Sequence, residues 1–203
     1  MADGYDTIAD RFAAWQRTIT GDARMRYLEQ LLARLPTRPE ILELGCGAGG
    51  ESTKILASRG RLVGVDISEQ QIERARKRVP AATFIKADAT SVELPSGTFD
   101  AVVAFFVLAH IPRADLPDLL TRVSNWLRPE GWFLATMGSR GRGESVEPSW
   151  LGVPMFFSSL TRDESQRLIR NAGFEIVADE VVVQNEPGHG DVEFLWVLAR
   201  KEH

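Results

Sequence analysis

The chain has 203 residues, of which 44% are hydrophobic and 26% are charged, and this is the size and composition of one ordinary globular domain. The formal net charge of −4 argues against nucleic acid as a partner, because binding to phosphates needs a basic surface. One cysteine excludes an internal disulfide, and the three histidines show no metal-binding spacing, so we expect no metal.

The start of the chain lacks the basic segment and apolar run of a signal peptide. The longest apolar run, AVVAFFVLA at residues 101–109, is too short to cross a bilayer. We therefore expect a soluble, cytoplasmic protein that does not bind membranes. The sequence gives no indication of its oligomeric state.

The first 35 residues carry apolar side chains at helical spacing over residues 4–35, and the PTRP segment then stops the helix. From residue 40, short apolar runs alternate with helical segments. The runs lie near residues 40–45, 61–66, 82–88, 99–109 and 131–137. This alternation predicts an α/β fold with a parallel sheet and helices on both faces, and the most apolar fourth run should be central.

The pattern changes after residue 137. A Gly-, Ser- and Pro-bearing segment predicts a long loop over residues 138–160, and Thr161 with Glu164 forms a capping box at the start of a helix. Two strand-like runs joined at EPGHG then predict an antiparallel hairpin. We expect one domain over residues 1–203: N-terminal helices closing the site (1–38), a donor-binding core (39–137), a lid (138–160), and a last helix with the hairpin (161–203).

The segment ILELGCGAGG at residues 41–50 ends the first strand in glycines. Glycines let the backbone turn sharply and approach a ligand, and Gly45, Gly47 and Gly50 also match the dinucleotide fingerprint. Asp66, at the end of the second strand, can accept both hydroxyls of a ribose. Glu43 would repel a pyrophosphate but favours a cationic ligand, and Asp88 after the third strand can accept from an adenine amine.

Together, ELGCGAG, VGVDIS, KADAT, FDAVVAFFVLAHI and GWFLAT resemble the ordered motifs of class I S-adenosylmethionine-dependent methyltransferases. The resemblance covers residues 40–137, and the terminal hairpin fits the family's last two strands. It implies a three-layer αβα Rossmann-like sandwich with a seven-stranded, mostly parallel sheet of order 3-2-1-4-5-7-6 and an antiparallel last strand. It also implies methyl donation from S-adenosylmethionine and release of S-adenosylhomocysteine.

The resemblance assigns donor-binding roles along the carboxyl edge of the sheet. Gly45 and Gly47 would lie under the methionine part, and Asp66 would hold the ribose hydroxyls. The remaining predicted donor contacts are Glu43, Cys46, Ile67 on the adenine, Asp88 and Ala89 at the adenine edge, Phe105 beside the methionine part, and Tyr5 and Arg17 closing over the donor.

Structural roles compete with some of these assignments. Cys46 fits a small packing residue better than a catalytic one, and Asp88 fits a turn. His110 is a candidate general base, because an imidazole titrates near neutral pH, or else a capping or donor-contacting residue. The apolar residues of the 138–160 segment either form a local core or line the acceptor pocket as a lid; they are Trp150, Met155, Phe156 and Phe157.

Three functions are therefore open. The first is methyl transfer to an O, N or C atom of a small molecule, by alignment and exclusion of water, with His110 as the candidate base and substrate contact. The second is a nicotinamide-dependent oxidoreductase, which Glu43, Asp88 and the terminal hairpin disfavour. The third is a non-catalytic S-adenosylmethionine-binding module. The FFVLAHIP segment departs from the motif of amino-methylating nucleic-acid enzymes, which again disfavours a nucleic-acid substrate.

Overall fold

The computed structural model describes residues 2–202. Its helices are α1 (Ala2–Gln16), α2 (Arg24–Leu32), α3 (Glu51–Arg59), α4 (Glu69–Arg78), α5 (Leu116–Trp126) and α6 (Arg162–Asn171), with a 3-10 turn at Leu108–His110. Its strands are β1 (Glu40–Leu44), β2 (Arg61–Asp66), β3 (Thr83–Lys86), β4 (Phe99–Ala104), β5 (Leu127–Gly138), β6 (Arg140–Trp150), β7 (Val153–Thr161), β8 (Phe174–Glu186) and β9 (Gly190–Lys201). Within this range no helix has the length and apolar character needed to pass through a bilayer.

Seven strands form one sheet in the order β3-β2-β1-β4-β5-β9-β8. Strands β1 to β5 are parallel, and β9 runs antiparallel to both β5 and β8. The predicted order is confirmed, since β8 and β9 take the places of the sixth and seventh strands once the inserted pair β6 and β7 is set aside. The prediction that the most apolar strand is central is also confirmed, because β4 is the fourth strand of the seven.

The two faces of the sheet are covered by different helices, because alternate strand residues point to opposite faces. On one face, Val102 and Ala104 of β4 pack in a cluster with α5 and α6, through Leu120 and Ile169. On the other face, the intervening β4 residues belong to a cluster that includes Leu28 of α2 and Leu56 of α3. This is the predicted three-layer sandwich.

The prediction that residues 4–35 are helical is confirmed for α1 and α2 and is wrong for the residues between them. Gly21 there has a φ of +82°, which a helix cannot contain, and Thr20 forms a bridge with Asn185 at the end of β8. Residues 17–23 therefore leave the helix to contact the terminal hairpin. Apolar residues keep their helical spacing on both sides of this break, so the spacing alone does not reveal the break.

The prediction of a loop at residues 138–160 is also wrong. This segment is a hairpin in which β6 pairs antiparallel with β7, as a two-stranded sheet separate from the main one. Strand β7 contacts α1 and the 3-10 turn. Strand β6 is mostly exposed and contains Gly141 and Gly143 at positive φ, so neither its composition nor its periodicity predicts a strand, and the pairing with β7 defines it.

Two predicted helix starts have side-chain caps. Thr161 and Glu164 form the complete capping box at the start of α6. At the start of α4, the Ser68 side chain accepts from the backbone N–H of Gln71. Both caps satisfy backbone donors that a helix leaves without partners at its start.

Candidate active site

A cavity of about 1060 Å³ lies at the carboxyl ends of β1, β2 and β4, where ligands bind in open parallel sheets. This is the first cavity. Every residue that the sequence assigned to the donor lines it, although these residues come from several separate segments. They are Tyr5, Arg17, Glu43, Gly45, Cys46, Gly47, Asp66, Ile67, Asp88, Ala89 and Phe105, together with His110.

The glycine turn after β1 forms the floor of the first cavity. Gly45 has a φ of +67°, and a Cβ atom there would lie 2.8 Å from the Cβ of Val107, so both conformation and space require glycine. Gly47 has a φ of +52°, and a Cβ atom there would meet nothing within 4 Å. The backbone at Gly47 is therefore open to a ligand. The third constrained glycine is Gly49, at a φ of +70°, rather than Gly50 of the fingerprint.

Asp66 joins the turn to the end of β2. Its carboxylate accepts from the backbone N–H of Gly47 at 2.8 Å and from that of Ser68 at 2.9 Å. Burial raises the pKa of this carboxyl, and the two N–H donors oppose the shift. Asp88 lies farther along the same edge and accepts from the backbone N–H and hydroxyl of Thr90 through one oxygen. Asp88 thus has the turn role that competed with adenine binding, and it also lines the cavity.

Glu43 is the deepest charged group of the site, with 3% of its surface exposed. One oxygen accepts from the Thr53 hydroxyl at 3.2 Å, and the other is buried with no hydrogen-bond partner among residues 2–202. Burial raises the pKa of Glu43 to about 8, and the Asp66 charge adds to the shift. A buried, unpaired carboxylate oxygen in a cavity wall matches a positively charged ligand group.

Arg24 is a site residue that the sequence reasoning missed. Its guanidinium carbon lies 5.4 Å from the ring centroid of Phe105 and 5.0 Å from that of Phe106, and its Nε is buried without a partner in the described chain. It lines the first cavity beside Glu43 and pairs with Asp22 at 3.3 Å. A signal existed in the sequence: a cation in the first turn of a helix opposes the helix dipole, and the first turn of α2 has no acidic residue.

Cys46 matches its predicted packing role. It is buried in a small cluster with Ile72, Ala75 and Phe84, which joins the turn to α4 and β3. Burial raises the pKa of its thiol, so the group stays protonated and is a poor nucleophile.

A second cavity of about 350 Å³ adjoins the first. It lies between α1, the β6–β7 hairpin and the ends of β8 and β9. Seven residues line both cavities and thus form a common wall: Tyr5, Phe12, Gln16, Ile19, Arg24, Phe106 and His110.

His110 is held within this wall at both ring nitrogens. Its Nδ1 lies 2.9 Å from the carbonyl oxygen of Phe156, which can only accept, so Nδ1 carries the proton and donates. Its Nε2 therefore accepts from the Tyr5 hydroxyl at 2.9 Å. Burial lowers the pKa of His110 to about 4, so the imidazole is neutral at pH 7. Burial also raises the pKa of Tyr5, which keeps its hydroxyl proton available to His110.

The aromatic residues of the hairpin take different positions. Trp150 and Phe157 line the second cavity. Met155 is 1% exposed and packs with Ile8 of α1, and Phe156 reaches His110 through its backbone carbonyl. Neither Met155 nor Phe156 is among the residues that line the first or the second cavity. Both alternatives for this segment are thus present: Trp150 and Phe157 line a cavity, and Met155 belongs to a local core.

Known proteins resemble this chain in sequence and in fold. The methyltransferase domain family matches residues 41–131. A 27-O-demethylrifamycin SV methyltransferase from Amycolatopsis mediterranei is 31% identical over 91% of this chain and 76% of its own length. The crystal structure of a Burkholderia thailandensis 1,6-didemethyltoxoflavin-N1-methyltransferase, with its acceptor and S-adenosylhomocysteine bound, has a TM-score of 0.72 at 20% identity, over 100% of this chain and 91% of that one. The structure of a Methanosarcina mazei S-adenosylmethionine-dependent methyltransferase has a TM-score of 0.75 at 18% identity, over 84% of this chain and 95% of that one.

The chain spans 48%, 64% and 58% of the length of three further curated relatives. None of the three proteins described above is an oxidoreductase, and the fold, the family resemblance and the donor class predicted from the sequence are confirmed by them. The glycine turn, the acidic residues at the ends of β1 and β2, and the antiparallel β9 all agree with that result. The chain therefore belongs to the class I S-adenosylmethionine-dependent methyltransferases.

Proposed function

We propose that this protein transfers the methyl group of S-adenosylmethionine to a small molecule bound in the second cavity. One observation carries the proposal: the donor-type cavity and a smaller cavity share a wall of side chains. Methyl transfer requires the acceptor atom to contact the donor methyl group in line with the methyl–sulfur bond, and the shared side chains mark where the two ligands would meet. The second cavity, at about 350 Å³, falls in the range that small-molecule sites occupy, roughly 300–1,000 Å³, and the first, at about 1060 Å³, lies just above it.

The charges of the first cavity support specific donor contacts. S-adenosylmethionine carries an ammonium, a sulfonium, a carboxylate and an adenosine. We assign the ammonium side to Glu43, the carboxylate to Arg24 and the ribose hydroxyls to Asp66, because each pairing satisfies a buried charge or an unpaired polar atom. Ile67, Asp88 and Ala89 are assigned to the adenine, with Phe105 beside the methionine part and Cys46 packed beneath it.

Alignment and exclusion of water would supply most of the catalysis, since the donor carries its own leaving group. The pairing of Tyr5 with His110 supports a route for a proton where the acceptor must lose one: the acceptor passes it to the Tyr5 oxygen while the Tyr5 proton moves to His110 Nε2. Base catalysis by His110 stays a prediction. The low pKa makes His110 a weak base, so this route suits an acceptor whose proton becomes acidic as the methyl bond forms.

The acceptor is a small molecule in this proposal, as the names of two relatives suggest. One acts on a demethylrifamycin and the other on a didemethyltoxoflavin. One side of the second cavity of this chain is aromatic, which suits such a ligand. Tyr5 and Arg17 at the N-terminal side would cover the donor, and Trp150 and Phe157 would contact the acceptor.

Incubation with methyl-labelled S-adenosylmethionine and a metabolite extract tests the proposal. We expect the label in a low-molecular-weight product, and no product with the Asp66→Ala variant, which should lose donor binding. Donor binding without any labelled small molecule would instead favour the non-catalytic binding module. Label in protein or nucleic acid would overturn the assignment of the acceptor class.

A further inference from the structure

The second cavity has an aromatic side and a polar side. The aromatic side contains Trp15, Trp150, Phe157 and Phe194. Trp15 stands edge-on to Trp150, with ring centroids 5.5 Å apart and an interplanar angle of 78°. Trp150 in turn lies edge-on to Phe157 at 5.6 Å. These rings offer π surfaces to a flat or apolar ligand, and to a cation.

The polar side holds buried oxygens that lack donors. Gln184 is 3% exposed and donates its amide to Glu186 at 2.7 Å, which leaves the Gln184 side-chain oxygen buried with no partner among the described residues. The hydroxyl of Ser158, on β7, is likewise buried with no hydrogen-bond partner within residues 2–202, and Ser158 lines the same cavity. Buried polar atoms are rarely left unpaired, so oxygens like these in a cavity wall indicate a ligand that supplies hydrogen-bond donors.

The charge on this side is negative. Glu186 is 8% exposed, and burial raises its pKa; the negative charges of Asp22 and Glu147 add to this shift, while Gln184 and His189 oppose it. Among the arginines of the cavity, Arg140 faces Glu193 at 3.6 Å and donates to the carbonyl of Asp191. Arg24 pairs with Asp22, and Arg142 is exposed to solvent. Arg24 and Arg140 are thus paired with acids, whereas Glu186 forms no salt bridge in the part of the chain that the structure describes, so the Gln184–Glu186 part of the cavity favours a cation.

We propose that the acceptor carries a basic nitrogen next to an aromatic body, with the nitrogen held by Gln184 and Glu186 and the body packed against Trp15, Trp150 and Phe157. An ammonium has three donors and no acceptor, which matches a site that offers acceptor oxygens and negative charge. The proposal rests on the proposed function, because it assumes that the second cavity holds the acceptor. The nitrogen anchors the molecule, and the atom that is methylated lies toward Tyr5 and His110.

Three indole probes that differ in one group test this inference on the wild-type protein. Tryptamine, tryptophol and indole-3-acetate carry an ammonium, a hydroxyl and a carboxylate on the same ring. We would measure their binding by calorimetry in protein saturated with S-adenosylhomocysteine, so that the first cavity is filled. Tryptamine should bind about tenfold more tightly than tryptophol, and indole-3-acetate most weakly. Equal binding of the three, tighter binding of the acid, or no binding of tryptamine at millimolar concentration would overturn the proposal.

The Glu186→Gln variant removes the charge and keeps the size of the side chain. It should bind tryptamine about tenfold more weakly and leave tryptophol within about twofold of the wild type. Glu175→Gln is the matched control, since Glu175 is exposed at the other end of the same strand. An unchanged tryptamine affinity in Glu186→Gln would contradict the anchoring role. Should that variant melt early, the wild-type probe series decides alone.

Failure of this inference and failure of the proposed function give different results. If the proposed function fails, the wild-type protein labels no small molecule in the extract. If only the anchor assignment fails, the protein labels a small molecule that has no basic nitrogen.

Discussion

The two cavities are built in different ways. The first is formed largely by backbone turns at the ends of adjacent parallel strands, within residues 39–137, and its key positions lie in short continuous motifs. The second is formed by side chains from α1, the β6–β7 hairpin and the β8–β9 hairpin, which are far apart in sequence. A site made by turns of a conserved geometry can be recognised from a few residues. A site made by distant side chains depends on how the whole chain folds.

The largest effect that we expect on the first cavity comes from Gly45→Ala. The new Cβ would contact Val107 at 2.8 Å, on a backbone with a φ of +67°. Conformational strain and overpacking together should lower the free energy of unfolding by about 3 kcal/mol, measured by urea denaturation. Gly97→Ala is the control, because Gly97 has a φ of +60° with nothing within 4 Å, and it should cost about 1 kcal/mol. An equal loss of unfolding free energy in the two variants would show that Val107 moves aside and relieves the contact.

Asp66→Ala should weaken S-adenosylmethionine binding by about 2 kcal/mol, or ~30-fold in Kd, because the ribose hydroxyls would lose a buried partner. Isothermal titration calorimetry measures this directly. The control Asp118→Ala removes an exposed carboxylate of α5 outside both cavities and should leave the Kd unchanged. A wild-type Kd in Asp66→Ala would remove Asp66 from the donor site.

Donor binding should depend on pH through Glu43. Its pKa is raised to about 8 by burial, so the free protein holds this proton at pH 7, while the cationic donor favours the carboxylate. Binding should therefore release a proton, and affinity should rise as pH increases toward 8, by at most about tenfold, or 1.4 kcal/mol, per pH unit. Calorimetry at pH 7 in buffers of different ionisation enthalpy counts the protons. The Glu43→Gln variant should bind the donor more weakly and release no proton on binding. Proton release by that variant would show that another group causes the pH dependence.

The common wall should affect transfer more than donor binding. Tyr5→Phe removes the hydroxyl that donates to His110 Nε2, and we expect transfer to slow about fivefold, or ~1 kcal/mol, with the donor Kd within about twofold of the wild type. Tyr27→Phe is the matched control, because Tyr27 donates to Glu180 at 3.3 Å away from both cavities. A loss confined to donor affinity in Tyr5→Phe would place Tyr5 in the donor half alone.

Local patterns of apolar runs, glycine turns and acids at strand ends predicted the parallel sheet and the glycine and acidic residues of the first cavity. The strand order and the other donor residues followed from the family resemblance that these motifs carry. The sequence did not predict the hairpin of β6 and β7, whose first strand is polar and is defined by its partner. It also missed Arg24, since nothing in the local pattern places the start of α2 against Phe105 and Phe106. The break at Gly21 was missed for a similar reason: the contact of Thr20 with Asn185 spans most of the chain.

The small core shared by α1 and the hairpin has a consequence for how acceptor preference can be exchanged between relatives. Ile8 of α1 is enclosed with Trp150, Val153 and Met155, apart from the two clusters on the main sheet. A graft of the hairpin alone from a homologue would leave Ile8 facing a foreign surface, and a graft of α1 alone would do the same to Met155. A graft that transfers substrate preference onto this scaffold should therefore exchange residues 2–16 and 140–161 together. These two segments are far apart in the sequence but form one packing unit.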